Sequence, residues 1–90
     1  MNPHVRPMLS PRSGRAVPNQ YIIHTEEGTY FQSYEAIIGF RPRGGGTTLL
    51  DEYYWNYSVT TSKYLAIWLR GYGEQSAKEL VAAGATRNLN

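Results

Sequence analysis

The residues with acid–base potential in this chain are few: His4 and His24, the adjacent carboxylates Asp51 and Glu52, and the pair Glu26 and Glu27. A general base needs a positioned partner, and a nucleophile needs a base beside it. His24 falls in a run of strand formers, Tyr21-Ile22-Ile23-His24-Thr25, with no Ser/His/Asp arrangement around it. Asp51 and Glu52 on a strand would point to opposite faces, so they do not make a working pair. Glu26 and Glu27 precede Gly28 in a turn, where solvated charge is the default. The chain has no cysteine, so it offers no thiolate nucleophile, disulfide or thiolate metal site. Gly44-Gly45-Gly46 lacks the Lys-Ser/Thr that follows in a phosphate loop, and neither an HExxH nor an EF-hand pattern occurs. The chain reads as non-catalytic, with no metal and no cofactor expected.

What remains is contact chemistry. All twelve aromatic residues lie between Tyr21 and Tyr72, and half of them fall between Tyr53 and Trp68. Each ring can bury ~150–250 Å². Protein interfaces are enriched in Tyr, Trp and Arg and depleted in Lys. Here there are eight Tyr, two Trp and seven Arg against two Lys. A small sheet cannot hide every ring. Phe40 and Trp68 are expected inside and Tyr64 partly so, with Tyr53, Tyr54 and Tyr57 reaching the surface through their hydroxyls. The candidate partner-binding residues are Arg41, Arg43, Tyr53, Tyr54, Trp55 and Tyr57. A competing reading is that Trp55 and the tyrosines plug a junction between sheet and helix.

Nucleic acid is the alternative partner. Tyrosines on a sheet can stack on bases, and Arg41 and Arg43 flank Pro42 at a loop. Nonspecific affinity, however, is built from many phosphate contacts. Glu26, Glu27, Glu35, Asp51 and Glu52 are interspersed among the rings and would repel a phosphate backbone.

The charge is unevenly placed. Arg6, Arg12 and Arg15 give residues 1–18 a charge of +3, and the rest of the chain carries six bases and seven acids, or −1, for a net +2. Four of the five prolines also lie before Asn19. Proline removes a backbone donor and biases its predecessor away from helix. Residues 1–18 are therefore expected to be a flexible arm, and residues 19–90 a single domain. No apolar run nears the ~20 residues of a membrane span, and residues 1–18 lack the apolar stretch expected of a secretory signal. A soluble cytoplasmic protein is expected.

Tyr21–Thr25 and Thr29–Ser33 read as a hairpin joined by Glu26-Glu27-Gly28. Ala36–Arg41 and Thr47–Leu50 read as two further strands, separated by the glycine triplet. The segment from Asp51 to Tyr57 either extends the last strand or turns irregularly. After the candidate caps Ser58, Thr60 and Thr61, the spacing of Tyr64 with Trp68 and of Leu65 with Leu69 predicts a helix ending near Gly71. Ser76-Ala77-Lys78-Glu79 fits a capping box, so a second helix is expected from about Glu74 to Ala83. Residues 86–90 either fray or add an edge strand. The fold class is α+β: about four antiparallel strands with two helices on one face. An exposed edge or ring cluster can pair with its own copy, so a homo-oligomer stays open.

Residues 19–90 also resemble a family of small uncharacterised bacteriophage proteins. The residues that carry this are Asn19-Gln20-Tyr21-Ile22-Ile23, Glu27-Gly28, Phe31-Gln32-Ser33-Tyr34, Ile37-Ile38 and Leu50-Asp51-Glu52, leading into Tyr54-Trp55-Asn56-Tyr57-Ser58-Val59-Thr60-Thr61-Ser62-Lys63-Tyr64. The resemblance implies a viral origin, residence in the host cytoplasm and no known active site. Small phage proteins without catalytic residues often block a host machine. By that analogy the chain is expected to be a stoichiometric inhibitor of a host defence complex, anti-CRISPR-like, or of another host enzyme.

Overall fold

The computed structural model describes residues 4–90. Six strands and two helices follow in the order β1 (His4–Leu9), β2 (Ala16–His24), β3 (Gly28–Ser33), β4 (Ala36–Pro42), β5 (Leu49–Asp51), α1 (Val59–Arg70), α2 (Ala77–Ala82) and β6 (Thr86–Arg87). They form one mixed sheet in sequence order. The neighbours from β1 to β5 are antiparallel, and β5 pairs with β6 in parallel. The class is α+β, with two strands more than the sequence suggests.

The first added strand corrects the expected arm. Within that segment, residues 1–3 lie outside the described residues. His4–Leu9 instead pairs with β2, and Met8 and Val17 are buried. The prolines are compatible because of where they fall. Thr25 N–H donates to Gly28 O at 2.8 Å and Tyr34 N–H to Asn19 O at 2.7 Å. The odd-numbered residues of β2 therefore bond β3, and by alternation Ile22 and His24 bond Arg6 and His4 of β1. Val5 and Pro7 then turn their backbone groups outward. A proline on an edge strand with its nitrogen facing out costs no ladder bond. Pro18 and Asn19 fall where the β1–β2 register slips, and Asn19 has φ 65°. The second added strand, β6, takes the edge-strand alternative for residues 86–90, over Thr86–Arg87.

The registers place two rows of side chains across the sheet. Arg6, Ile22, Phe31, Gly39, Leu50 and Thr86 share one face, and Val5, Ile23, Tyr30, Phe40 and Leu49 share the other. The helices pack on the first face. Trp68 of α1 stacks on Phe31 with ring centroids 5.8 Å apart, and a Cβ on Gly39 would come within 2.6 Å of Trp68 Cζ3. The register of β3 against β4 shifts between Phe31 and Gln32, leaving Ile38 as the extra residue of a bulge. Ile38 is fully buried in the same core as Leu50, Leu65, Leu69 and Leu80.

α1 starts where the cap residues suggest. Ser58 is extended, and its Oγ accepts Thr61 N–H at 3.0 Å. Gly71 ends the helix in right-handed geometry, and the chain reverses at Gly73, with φ 69°, where the following Glu74 N–H returns to Leu69 O. α2 is shorter than expected, although Ser76 Oγ does accept Glu79 N–H at 3.2 Å. Among the described residues no helix is long and apolar enough to cross a membrane.

Candidate functional site

Asp51 organises the aromatic segment. Its carboxylate is buried at the end of β5, and Oδ2 accepts the N–H groups of Tyr53 at 3.0 Å and Tyr54 at 2.8 Å. Trp55 N–H donates to Asp51 O at 3.2 Å and Tyr57 N–H to Tyr54 O at 3.1 Å. The segment is thus a turn clamped from Asp51 and not an extension of the strand. Oδ1 accepts Leu89 N–H and the Asn90 amide. Burial opposes ionisation of Asp51, but the donors Leu89, Tyr54, Asn90 and Tyr53 outweigh it and hold the carboxyl below its ordinary range. Glu52 is exposed beside it, so the two acids do diverge.

The turn sends its rings three ways. Tyr53 is 73% exposed and meets Tyr54 edge-on at 4.7 Å. Tyr57 is 60% exposed and also meets Tyr54 edge-on, at 5.4 Å. Tyr54 itself is half-buried against the core. Trp55 is also half-buried, and it lines a crevice of about 280 Å³ with Ser62, Leu65 and the start of α2.

Tyr54 and Tyr57 form one wall of a larger open groove of about 1160 Å³. Its lining includes Val5, Tyr21, Ile23 and Gln32 from the helix-free sheet face, the β3–β4 turn at Ser33, Tyr34, Glu35 and Ala36, and Ser58 and Thr60 at the start of α1. Asn19 and Asn90 complete it. Four tyrosines thus converge, with Glu35 the only charged residue among the lining. Tyr34 stands at the apex of its turn with φ 56° and is 46% exposed. A left-handed backbone is unusual for a bulky residue. The turn is braced by Gln32 Nε2, which donates to Tyr34 O at 2.7 Å.

Of the six sequence candidates, only Tyr54 and Tyr57 reach this groove. Arg41 is engaged elsewhere. Its Nε donates to Glu74 Oε1 at 3.0 Å, and its guanidinium lies over the rings of Trp68 at 4.1 Å and Tyr72 at 3.7 Å. Thr48 Oγ1 donates to the same Glu74 oxygen at 2.8 Å. Arg41 therefore closes one end of the core. Arg43 is exposed at the glycine loop, and its N–H donates to Glu27 O. Phe40, expected inside, is half-buried on the helix-free face, packed on Tyr30 at 4.5 Å. Burial raises the Tyr30 hydroxyl above its usual range, and the nearby Glu27 carboxylate adds to this.

Tyr34 is the groove tyrosine that sequence reasoning passed over, and Tyr21 entered it only as a sheet tyrosine able to stack on bases. Tyr21 carried a signal in its alternation with Ile23, which fixes the face but not whether a helix covers it. Tyr34 carried none, since aromatic residues are poor turn formers.

The acid–base candidates do not assemble. His24 Nε2 accepts from Arg6 Nε at 3.2 Å, and its Nδ1 lies 3.4 Å from Thr29 Oγ1. Both ring nitrogens thus have partners within the fold. Asp51, with four donors on its two oxygens, has little capacity left for a substrate. No group of three or more metal-ligating side chains occurs among the described residues.

A small mixed sheet with helices on one face, and a tyrosine-lined groove that draws on its other face, defines an α+β domain. The chain belongs to the family of unknown function DUF8033, which matches residues 4–82. The match begins at β1, so the family unit takes in the first hairpin as well as the helices. Neither the curated proteins nor the solved structures yield a match to this chain.

Proposed function

We propose that this chain is a non-catalytic binding protein that engages a partner protein through the tyrosine groove. In the phage setting that the sequence resemblance implies, it acts in the host cytoplasm as a stoichiometric inhibitor of a host defence complex, anti-CRISPR-like, or of another host enzyme. One observation carries the reading. Tyr21, Tyr34, Tyr54 and Tyr57 line a single groove with no Lys or Arg among the lining residues. Tyrosine offers a large rigid ring and a hydroxyl at low entropic cost, which is why it dominates protein-binding surfaces. A phosphate backbone would meet no cation there and would face Glu35. The alternative, a nucleic-acid accessory protein, would need its arginines beside the stacking rings, and neither Arg41 nor Arg43 lines the groove.

The test is capture from a bacterial host lysate on the immobilised chain, followed by light scattering on the isolated complex. A single protein held at equal stoichiometry by wild type, and released by Tyr57→Ala with the fold intact, supports the reading. Retention by Tyr57→Ala, or capture that disappears after nuclease treatment, overturns it.

A further inference from the structure

The first hairpin carries a feature that the groove does not use. Ser10 and Arg15 close the turn between β1 and β2, with Ser10 N–H donating to Arg15 O and Gly14 N–H to Ser10 O, both at 2.8 Å. Gly14 supplies the left-handed residue at φ 71°. Ser10 Oγ accepts Arg12 N–H at 3.3 Å, and Ser13 Oγ accepts Arg15 N–H at 3.2 Å. The tip is therefore ordered by its own hydrogen bonds while standing in solvent. Arg12 and Arg15 are exposed, and neither guanidinium has a partner among the described residues. Leu9, beside them on β1, is 51% exposed. No acidic residue lies between His4 and Thr25.

We infer that this hairpin tip is a second contact element, which inserts its two arginines and Leu9 into an acidic surface of a protein partner. The inference rests on the reading of the chain as a protein-contact molecule, and it adds the charge of the surface that the chain meets. Three features support it. The guanidinium groups are unspent within the fold and so are available to pair with carboxylates outside it. The tip is preorganised, which lowers the ordering cost of binding. An exposed leucine beside the arginines suits a protein pocket better than a phosphate backbone. Two or three cations release too few counterions for appreciable affinity to nucleic acid.

The experiment uses the full chain and a fluorescein-labelled oligoglutamate peptide of about twelve residues, read by fluorescence anisotropy at low salt. An oligodeoxynucleotide of similar charge is the comparison probe. The expected result is binding of the peptide by wild type, weakened about tenfold or more by the double variant Arg12→Ala/Arg15→Ala. The double variant Arg70→Ala/Arg87→Ala removes the same charge elsewhere and is expected to leave affinity within about twofold. Peptide binding at the tip is read apart from lysate capture at the groove, so failure of this inference and failure of the groove reading are distinguishable. No peptide binding, equal loss in both double variants, or tighter tip-dependent binding of the oligonucleotide overturns the inference.

Discussion

Asn90 and Asp51 hold each other in place. Nδ2 of Asn90 donates to Asp51 Oδ1 at 2.9 Å, and the same nitrogen donates to Ile37 O at 2.9 Å. Asn90 Oδ1 accepts Ile37 N–H at 2.7 Å. The amide thus pairs with the backbone of β4 just beyond the end of β5, as a neighbouring strand would. One carboxylate ties this closure to the turn that presents Tyr54 and Tyr57. The groove wall and residues 88–90 are therefore set by the same buried charge.

Removing that charge should loosen both. Asp51→Ala strands several donors and is expected to cost about 3 kcal/mol in urea unfolding. The pH dependence follows from the direction of the shift. The folded carboxyl lies below the unfolded value, which is about 3.9 for aspartate. Its stabilisation is complete above the unfolded value and is lost as pH falls through the lower folded one. Asp51→Asn is expected to flatten the acid limb of the stability profile in that window. An unchanged limb would remove Asp51 from this role.

Gly39 marks where α1 comes closest to the sheet. A methyl there meets the Trp68 ring at 2.6 Å and cannot be accommodated without moving the indole. Gly39→Ala is expected to cost about 1–3 kcal/mol. In a Trp68→Leu background the same change should cost clearly less. Equal costs in the two backgrounds would show that the clash is not with Trp68.

Arg41 and Arg43 are adjacent to the same proline, yet they should respond differently. Arg41→Ala empties the space between Trp68 and Tyr72 and leaves Glu74 without its cation. A loss of about 2 kcal/mol is expected. Arg43→Ala is expected to stay within about 0.5 kcal/mol, as exposed surface changes do. Thermal melts of the two variants are sufficient, and similar melts would place both arginines at the surface.

These contrasts show what the sequence carried and what it did not. The Tyr21–Ser33 hairpin, the helix from Ser58 and the Ser76 cap follow from local patterns, and the structure has all three. β1 was hidden because Pro7 forbids a central strand, and only the outward turn of that proline makes an edge strand possible. Phe40 was misplaced because alternation tells which residues share a face and not which face the helices will cover. Arg41 looked like a surface charge because its ring partners lie far along the chain, at Trp68 and Tyr72. The groove joins residues from β1 to Asn90, so no local window contains it.

Gln20 is fully buried, and neither its Oε1 nor its Nε2 has a hydrogen-bond partner among the described residues. Its cross-strand neighbour Ser33 turns instead to Thr61, 2.9 Å away. An unmatched buried amide costs more than an apolar side chain of the same size. Gln20→Met is expected to raise stability by about 1 kcal/mol in urea unfolding, and a loss of that size would show that the amide is satisfied in solution.

Tyr34 should separate stability from binding. Its left-handed backbone costs a non-glycine residue about 1–2 kcal/mol. Glycine removes that strain but gives back part of the gain through the greater freedom of the unfolded chain. Tyr34→Gly is therefore expected to be neutral or to gain up to about 1 kcal/mol in urea unfolding. The same change takes a half-exposed ring out of the groove and should weaken partner capture as Tyr57→Ala does. Tyr34→Phe keeps the ring and the strain, so it should bind with wild-type stability and lose only what the hydroxyl supplies. If Tyr34→Gly destabilises the fold, the ring supports the turn. If it stabilises the fold yet leaves capture intact, Tyr34 is not part of the contact surface.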